Sequence, residues 1–584
     1  GEGDPDFGWE EIEDPDAGQT IGRYAYMVIN CSGLLDANVV GGNGHLHGFS
    51  PKEIILTNIP GIAAASFFSD RATNIVRFET LPEIQMASGI DAGTVDSLFP
   101  YSRFIDDGLN PKGNPKVRLD LPMASDFVTA KGDIINALTD SKVPTPNDVY
   151  LNLIDYVDAD RIPGNENGNL AANTLTFCTE AVPFINEISF SNKLTKINPN
   201  PTNTVWQLEV KMLVETWYPF PNHPNLGPDF TLAPDIEVVT SDPPAFKPQI
   251  PSTYVATPAE QKGYPGYSFQ VTSYDLSPPA FTNPSLVGSK IWNYVINVKK
   301  IDLVTDEGIV DSVGPLDNLT LMVLKSPNFQ SGLEVSDPRL NHDKSKWHVQ
   351  AGVSTINQTN ANIYVDGIGE KFSPMYASSK APPDKPLESV AELGFLSIGK
   401  PWETIRLHSS GDDNDIHPVL DYFTIGTSGG STNQGLVNIN SRVTNALAAV
   451  FNELPIERYP DDDVPVFLSW ADAKTCAGTL VSYLWDESGS HRISNDLSRL
   501  GGAVYTNSTT KLKSDAEIES LIRNSCHLLS SRQNLFTVLL AAQVYDGDAV
   551  FAEQRAVAVV WRDPVPDADG RHPCFVRFFK LLAE

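Results

Sequence analysis

Proline and glycine break this chain too often for long helices. Its 584 residues include 44 prolines and 41 glycines. Each proline fixes its own φ, removes a backbone donor and drives the preceding residue out of the helical region. What survives between such breaks is short: strands, tight turns and helices of a few turns. Short elements cannot bury their own apolar faces, so they must find partners elsewhere in the chain. Apolar residues make up 41 % of the sequence, enough for real cores, and the length suits about three or four domains of ordinary size.

Charge narrows the function. Lys and Arg number 42 against 73 Asp and Glu, a net charge of −31. Nucleic acids and anionic membrane surfaces need clustered basic residues, so neither is an expected partner. No run approaches the ~20 apolar residues of a membrane span, and no basic-then-apolar leader opens the sequence. The five cysteines, Cys31, Cys178, Cys476, Cys526 and Cys574, are far apart and form no Cys-x-x-Cys. They read as small buried hydrophobes; one or two disulfides in an extracytoplasmic protein are the alternative.

Four regions separate along the chain. Residues 1–20 form an acidic, Gly/Pro-rich arm. Residues 21–200 are mixed, with a strand-like Tyr24–Ile29 and a helical pattern over Asp148–Val157. Residues 201–386 are strand-rich. Val205–Val214, Gly266–Val271 and Trp292–Val298 alternate apolar and polar residues, and the turns Ser241–Pro244 and Ser277–Pro279 separate them, a pattern that suggests a β-sandwich. Residues 387–584 return to helices and close with a terminal antiparallel meander over Phe536–Val544, Gln554–Trp561 and Cys574–Phe579. The expected class is α+β and multidomain. An internal echo links the two flanks: Gly33-Leu-Leu-Asp-Ala-Asn38 matches Gly435-Leu-Val-Asn-Ile-Asn440. A duplicated unit and a coincidence both fit it.

The sharpest chemical constellation is Asp155, Asp158 and Asp160 with Asn165, Glu166 and Asn167. Oxygen donors bunched at a helix end and its following loop suit a hard cation that takes ~6–8 oxygens, so calcium is the expected ion. The plain alternative is a solvated acidic loop, as for Asp412–Asp415 and Asp461–Asp463. Gly426-Thr-Ser-Gly-Gly430 matches a nucleophile elbow in letters, but glycine-rich sequence follows where a helix is required, so Ser428 is a weak nucleophile candidate. His45-Leu-His47 has no accompanying zinc motif.

Taken in order, several motifs resemble a known family. Gly22–Tyr26 with Ser32–Asn38, Trp217–Pro221, Ser389–Gly394 with Pro401-Trp402, and Leu420–Thr424 resemble the prepilin-like Verru_Chthon cassette protein A family. Gly435–Asn440, with the helix-like Val443–Phe451 after it, also looks like the general-secretion minor pseudopilin K, and Ile154–Asp160 is similar to part of that pseudopilin's helical domain. The resemblance implies pilin-like α/β regions and a non-enzymatic subunit of a type IV pilus-like or type II secretion-like extracytoplasmic assembly. It also implies protein partners, homo-oligomeric or not, and a calcium ion that the Asp155–Asp160 cluster matches in residue type. The family's first element is an apolar membrane-anchoring helix, and the residues before Gly22 do not supply one. The rival expectation is a surface adhesin or glycan binder that stacks sugars on Trp206, Trp217 or Trp292.

Overall fold

The computed structural model describes most of residues 8–582. The longest stretches outside the description are 159–181, 219–229, 240–252, 256–267, 337–347, 352–384, 408–417, 457–465, 486–496 and 502–511. The described chain is an α+β fold in which one part is nested inside another.

Strands β1 (Glu10–Glu13) and β2 (Thr20–Asn30) come first. A body segment follows: β3 (Leu35–Asp36), helices α1 (Ala64–Thr73) and α2 (Leu81–Met86), β4 (Leu98–Phe99), then helices α3 (Ala124–Thr129), α4 (Lys131–Asp140) and α5 (Pro146–Val157). The long strands come next: β5 (Phe184–Asn198), β6 (Val205–Tyr218), β7 (Phe230–Val239), β8 (Ser268–Asp275), β9 (Ile291–Val304), β10 (Ile309–Val313), β11 (Leu316–Leu324), β12 (Ser331–Ser336) and β13 (His348–Ala351). A second body segment holds the 3-10 helix Val390–Phe395, β14 (Val437–Asn438), helices α6 (Thr444–Phe451), α7 (Trp470–Leu484) and α8 (Asp515–Ser525), and β15 (Leu529–Ser530). Strands β16 (Leu535–Asp546), β17 (Ala549–Arg562) and β18 (Cys574–Leu582) close the fold.

One apolar cluster joins the two body segments. Its members run from Leu35 to Val157 and again from Leu387 to Leu529, and none comes from β5–β13 or β16–β18. Phe67 and Phe78 stack in it at 5.4 Å between ring centroids. Helix α6 is apolar all round, and every residue from Ala446 to Phe451 is buried, as expected of a central core helix. Helix α5 starts on Pro146, whose missing N–H costs nothing at that position. It buries Val149, Leu153, Tyr156 and Val157, the one-sided spacing its sequence shows. The mixed region and the last region therefore share one interior.

Between these segments lie two antiparallel sheets, ordered β8-β6-β5-β12-β13 and β7-β9-β10, with β11 paired to β9. Strand β5 begins at Phe184, so the inserted strands start earlier than the composition change near residue 200 suggests. Alternate residues of these strands are buried, including Leu208, Val210, Met212 and Val214 on one face of β6. The Ile185 N–H donates to Asp311 Oδ2 at 2.7 Å, a bond that ties the two sheets together.

The internal echo has a geometric counterpart. β3 pairs in parallel with β4, and β14 pairs in parallel with β15. Asp36 Oδ1 accepts from the Asn38 N–H at 2.9 Å, and Asn438 Oδ1 accepts from the Asn440 N–H at 2.8 Å. Ala37 N–H donates to Phe99 O at 3.0 Å, and Ile439 N–H donates to Ser530 O at 2.9 Å. The two units touch where Ser441 Oγ donates to Gly33 O at 2.5 Å. A Cβ on Gly33 would lie 3.0 Å from that oxygen, so the close approach favours glycine.

Phe451 is fully buried. The Phe451→Ala change is expected to cost about 3–5 kcal/mol in denaturant unfolding, whereas the same change at exposed Phe551 should stay within about 0.5 kcal/mol.

Candidate functional site

The expected cation ligands are only partly within the described residues. Asp155 is buried in the last turn of α5, and Asp158 caps that helix, its N–H donating to Ile154 O at 2.9 Å. Both carboxylates sit at the negative end of the helix dipole, where compensating donors or a cation are favoured. Asp160, Asn165, Glu166 and Asn167 lie outside the described residues, as do Asp412–Asp415, Asp461–Asp463, Ser428 and His47. No group of three His, Cys, Asp or Glu side chains close enough for a metal occurs among the described residues. His45 is buried, and burial lowers its pKa, which favours the neutral ring. Trp206 is buried, a position suited to packing rather than to stacking on a sugar. The side chains of Trp217 and Trp292 fall outside the description.

Among the described residues, most of the exposed large apolar side chains lie in or beside the sheet that both ends of the described chain build together. Its strand order is β1-β2-β16-β17-β18, antiparallel throughout. None of its residues belongs to the body's apolar cluster. Directly opposed residues share a face, so the register shows which side chains stand together. One row across four strands is Tyr26, Leu540, Ala556 and Leu581; the next is Val28, Val538, Ala558 and Phe579. Ala556 and Ala558 are buried between larger neighbours, while Tyr26, Val28, Phe579 and Leu581 are each more than half exposed. The result is an apolar face with a valley of small residues and tall flanks, larger in extent than scattered surface hydrophobes require.

The opposite face is polar at one end. Arg23 Nε donates to Gln543 Oε1 at 2.9 Å, Gln543 Nε2 donates to Glu553 Oε2 at 2.6 Å, and Arg555 Nε donates to Glu553 Oε1 at 2.6 Å. Those two donors hold the Glu553 carboxyl below its usual pKa. The Arg23 guanidinium also lies over the rings of Trp9, at 4.6 Å, and Tyr545, at 4.8 Å. This ladder fixes the register of β2 against β16 and β17, and so fixes the apolar rows on the other side.

A second constellation is interior. Ser389 caps the 3-10 helix Val390–Phe395: its Oγ accepts from the Ala391 N–H at 3.2 Å, and Glu392 Oε1 accepts from the Ser389 N–H at 2.7 Å. His527 Nε2 lies 3.0 Å from Ser389 Oγ, Cys526 Sγ lies 3.8 Å from the same oxygen, and Tyr156 OH donates to Glu392 Oε2 at 2.9 Å. Burial disfavours the imidazolium, but the Cys526 sulfur and the Glu392 carboxylate more than offset it, so His527 titrates above the usual histidine range. Burial likewise opposes a Cys526 thiolate, and His527 next to it pulls the thiol pKa down. Ser389 is buried and already engaged as a cap. The group is suited to clamping together α5, the 3-10 helix and the end of α8. Nearby, Arg523 pairs with Glu519 at 3.2 Å in the interior and lies over the Phe395 ring at 4.4 Å.

The sequence marks Ser389–Gly394 as part of a resemblance but gives Ser389, Glu392 and His527 no chemical role. The Ser-x-x-Glu capping signature at 389–392 was readable, but His527 is 138 positions away. The apolar rows were equally hidden, because they depend on the pairing of β2 with β16. No family model, curated protein or solved structure matches the chain.

A histidine whose folded pKa is raised contributes stability that is full below its unfolded value, about 6.5, and fades as the pH rises through the folded value. The melting temperature of His527→Gln is therefore expected to fall short of wild type below about pH 6.5, and the part of the gap that the raised histidine supplies should shrink as the pH rises through its folded value.

Proposed function

We propose that this chain is a non-enzymatic structural subunit of an extracytoplasmic assembly of the type IV pilus-like or type II secretion-like kind. The observation that carries this reading is the apolar face of the terminal sheet, where Tyr26, Val28, Phe579 and Leu581 stand exposed in register around buried alanines. An ordered apolar face of this kind fits a surface that other protein subunits cover. On this reading the helical body with its terminal sheet corresponds to the pilin-like part, and the two inserted sheets to a β-sandwich module. The motifs at Gly22–Tyr26, Ser32–Asn38 and Gly435–Asn440 support the same assignment by resemblance.

The test is to follow the tagged full chain in producing cells by fractionation and electron microscopy. The chain is expected in an extracytoplasmic multi-protein assembly, and Phe579→Asp combined with Tyr26→Asp should leave that assembly without a matching fall in melting temperature. A free secreted monomer that binds glycans, with binding lost on Trp217→Ala, would replace this reading with an adhesin.

Calcium at the end of α5 belongs to the same proposal, with Asp155, Asp158, Asp160, Asn165, Glu166 and Asn167 as the donors. Added calcium is expected to raise the melting temperature of chelator-treated protein, and Asp155→Asn should blunt that rise. An identical melting curve in calcium and in chelator would remove the ion from the proposal.

A further inference from the structure

The terminal sheet has two outer strands of opposite charge. β1 reads Glu-Glu-Ile-Glu, and all four residues are exposed. β18 reads Cys-Phe-Val-Arg-Phe-Phe-Lys-Leu-Leu and carries Arg577 and Lys580 with no acidic residue. A basic strand is unexpected in a chain of net charge −31. Among the described residues each outer strand is hydrogen-bonded to one neighbour in the sheet, β1 to β2 and β18 to β17, so each presents a second row of backbone donors and acceptors outward.

We propose that copies of this chain join head to tail through these edges, the basic β18 of one copy docking beside the acidic β1 of the next. The proposal rests on the reading of the terminal sheet as an assembly surface and names its occupant as a second copy. Charge decides between the possible pairings. Two-fold pairing of β18 with itself brings together two strands that carry only basic charge. Two-fold pairing of β1 with itself does the same with the acidic charge of Glu10, Glu11 and Glu13. Like charges on adjacent strands are destabilising, and opposite charges are favourable. Only the mixed pairing joins unlike edges.

Strand direction suits this geometry. In an antiparallel order of five, β1 and β18 run the same way, so a translated copy meets its neighbour in parallel alignment. Ile12 is opposed to Gly22 and so shares a face with Tyr24 and Tyr26. Translation therefore keeps the apolar face of successive copies on one side. A contact between two different edges leaves a free edge of each kind after every addition. It repeats, giving an open chain of copies, or a ring where the rotation per copy closes, rather than a two-fold dimer.

The experiment uses two charge-exchanged full-length variants, Arg577→Glu with Lys580→Glu, and Glu11→Lys with Glu13→Lys. All four substitutions are in the outer strands, and matching melting curves establish that both variants fold. In sedimentation velocity at about 0.1 M salt, where the screening length is ~10 Å, wild type is expected to form species that grow with concentration. Each variant alone should associate roughly tenfold more weakly or worse, because its two edges now carry the same sign. An equimolar mixture should recover chain growth, since each variant's edges complement the other's. Recovery on mixing is a result that a general loss of stability cannot produce. The edge proposal is overturned by a monomeric wild type, by variants that associate like wild type, or by a mixture that stays apart. If wild type associates, ignores the edge exchanges and responds to Phe579→Asp, the assembly surface stands and only its head-to-tail geometry falls. If neither set of changes affects any assembly, both readings fall together.

Discussion

The closure of residues 35–157 against residues 387–529 is the contact on which the rest of the structure depends. It is a long-range closure, but the entropic cost of a loop rises only slowly with its length, so two large sheets can sit between the halves without undoing them. The closure also sets the terminal sheet. β2 ends at Asn30, shortly before β3, and β16 begins at Leu535, shortly after β15. β3 and β15 each belong to a parallel pair rooted in the body. The bond from Ser441 to Gly33 joins those two pairs. Strands from opposite ends of the described chain are thus held at one place by the body.

Polar groups divide the labour with this core. Interior ones hold elements in position: Glu392 receives Tyr156 from the first segment and the cap of Ser389 from the second, while His527 and Cys526 approach the same serine from the end of α8. Arg523 and Glu519 repeat the arrangement one turn away, a buried pair whose half-removal would leave an uncompensated charge. Surface ones set register: the ladder from Arg23 through Gln543 and Glu553 to Arg555 spans three strands on one face. The net charge of −31 works against non-specific self-association and in favour of solubility.

Much of the local structure was legible in the sequence. The alternation in Val205–Val214 marks β6, the helical spacing in Asp148–Val157 marks α5, and the closing apolar runs mark β16–β18. These signals are local, and the period of the pattern states them directly. The echo between Leu35–Asn38 and Val437–Asn440 was also readable, because a side chain that accepts from the N–H two residues on demands Asp or Asn at the same place in each. What stayed hidden was pairing at a distance. Nothing in Phe184–Asn198 says that its partners lie after residue 200 and not before it, since a strand pattern is silent about its neighbours. Nothing in His527 says that Ser389 will meet it. The candidate surface shared this fate: Tyr26 and Leu581 are unremarkable exposed residues until four strands are placed in register.

The position of the terminal sheet has a consequence for the order in which the protein is made. β2 leaves the ribosome about 500 residues before β16, its partner. At ordinary synthesis rates that interval is on the order of a minute. Throughout it, an eleven-residue strand rich in Tyr, Met, Val and Ile has no native neighbour on that side. The strands β16, β17 and β18 that complete the sheet all follow both body segments in the chain. During that interval a nascent chain of this protein carries an apolar strand without its β16 partner, which favours delaying premature contact between neighbouring nascent chains.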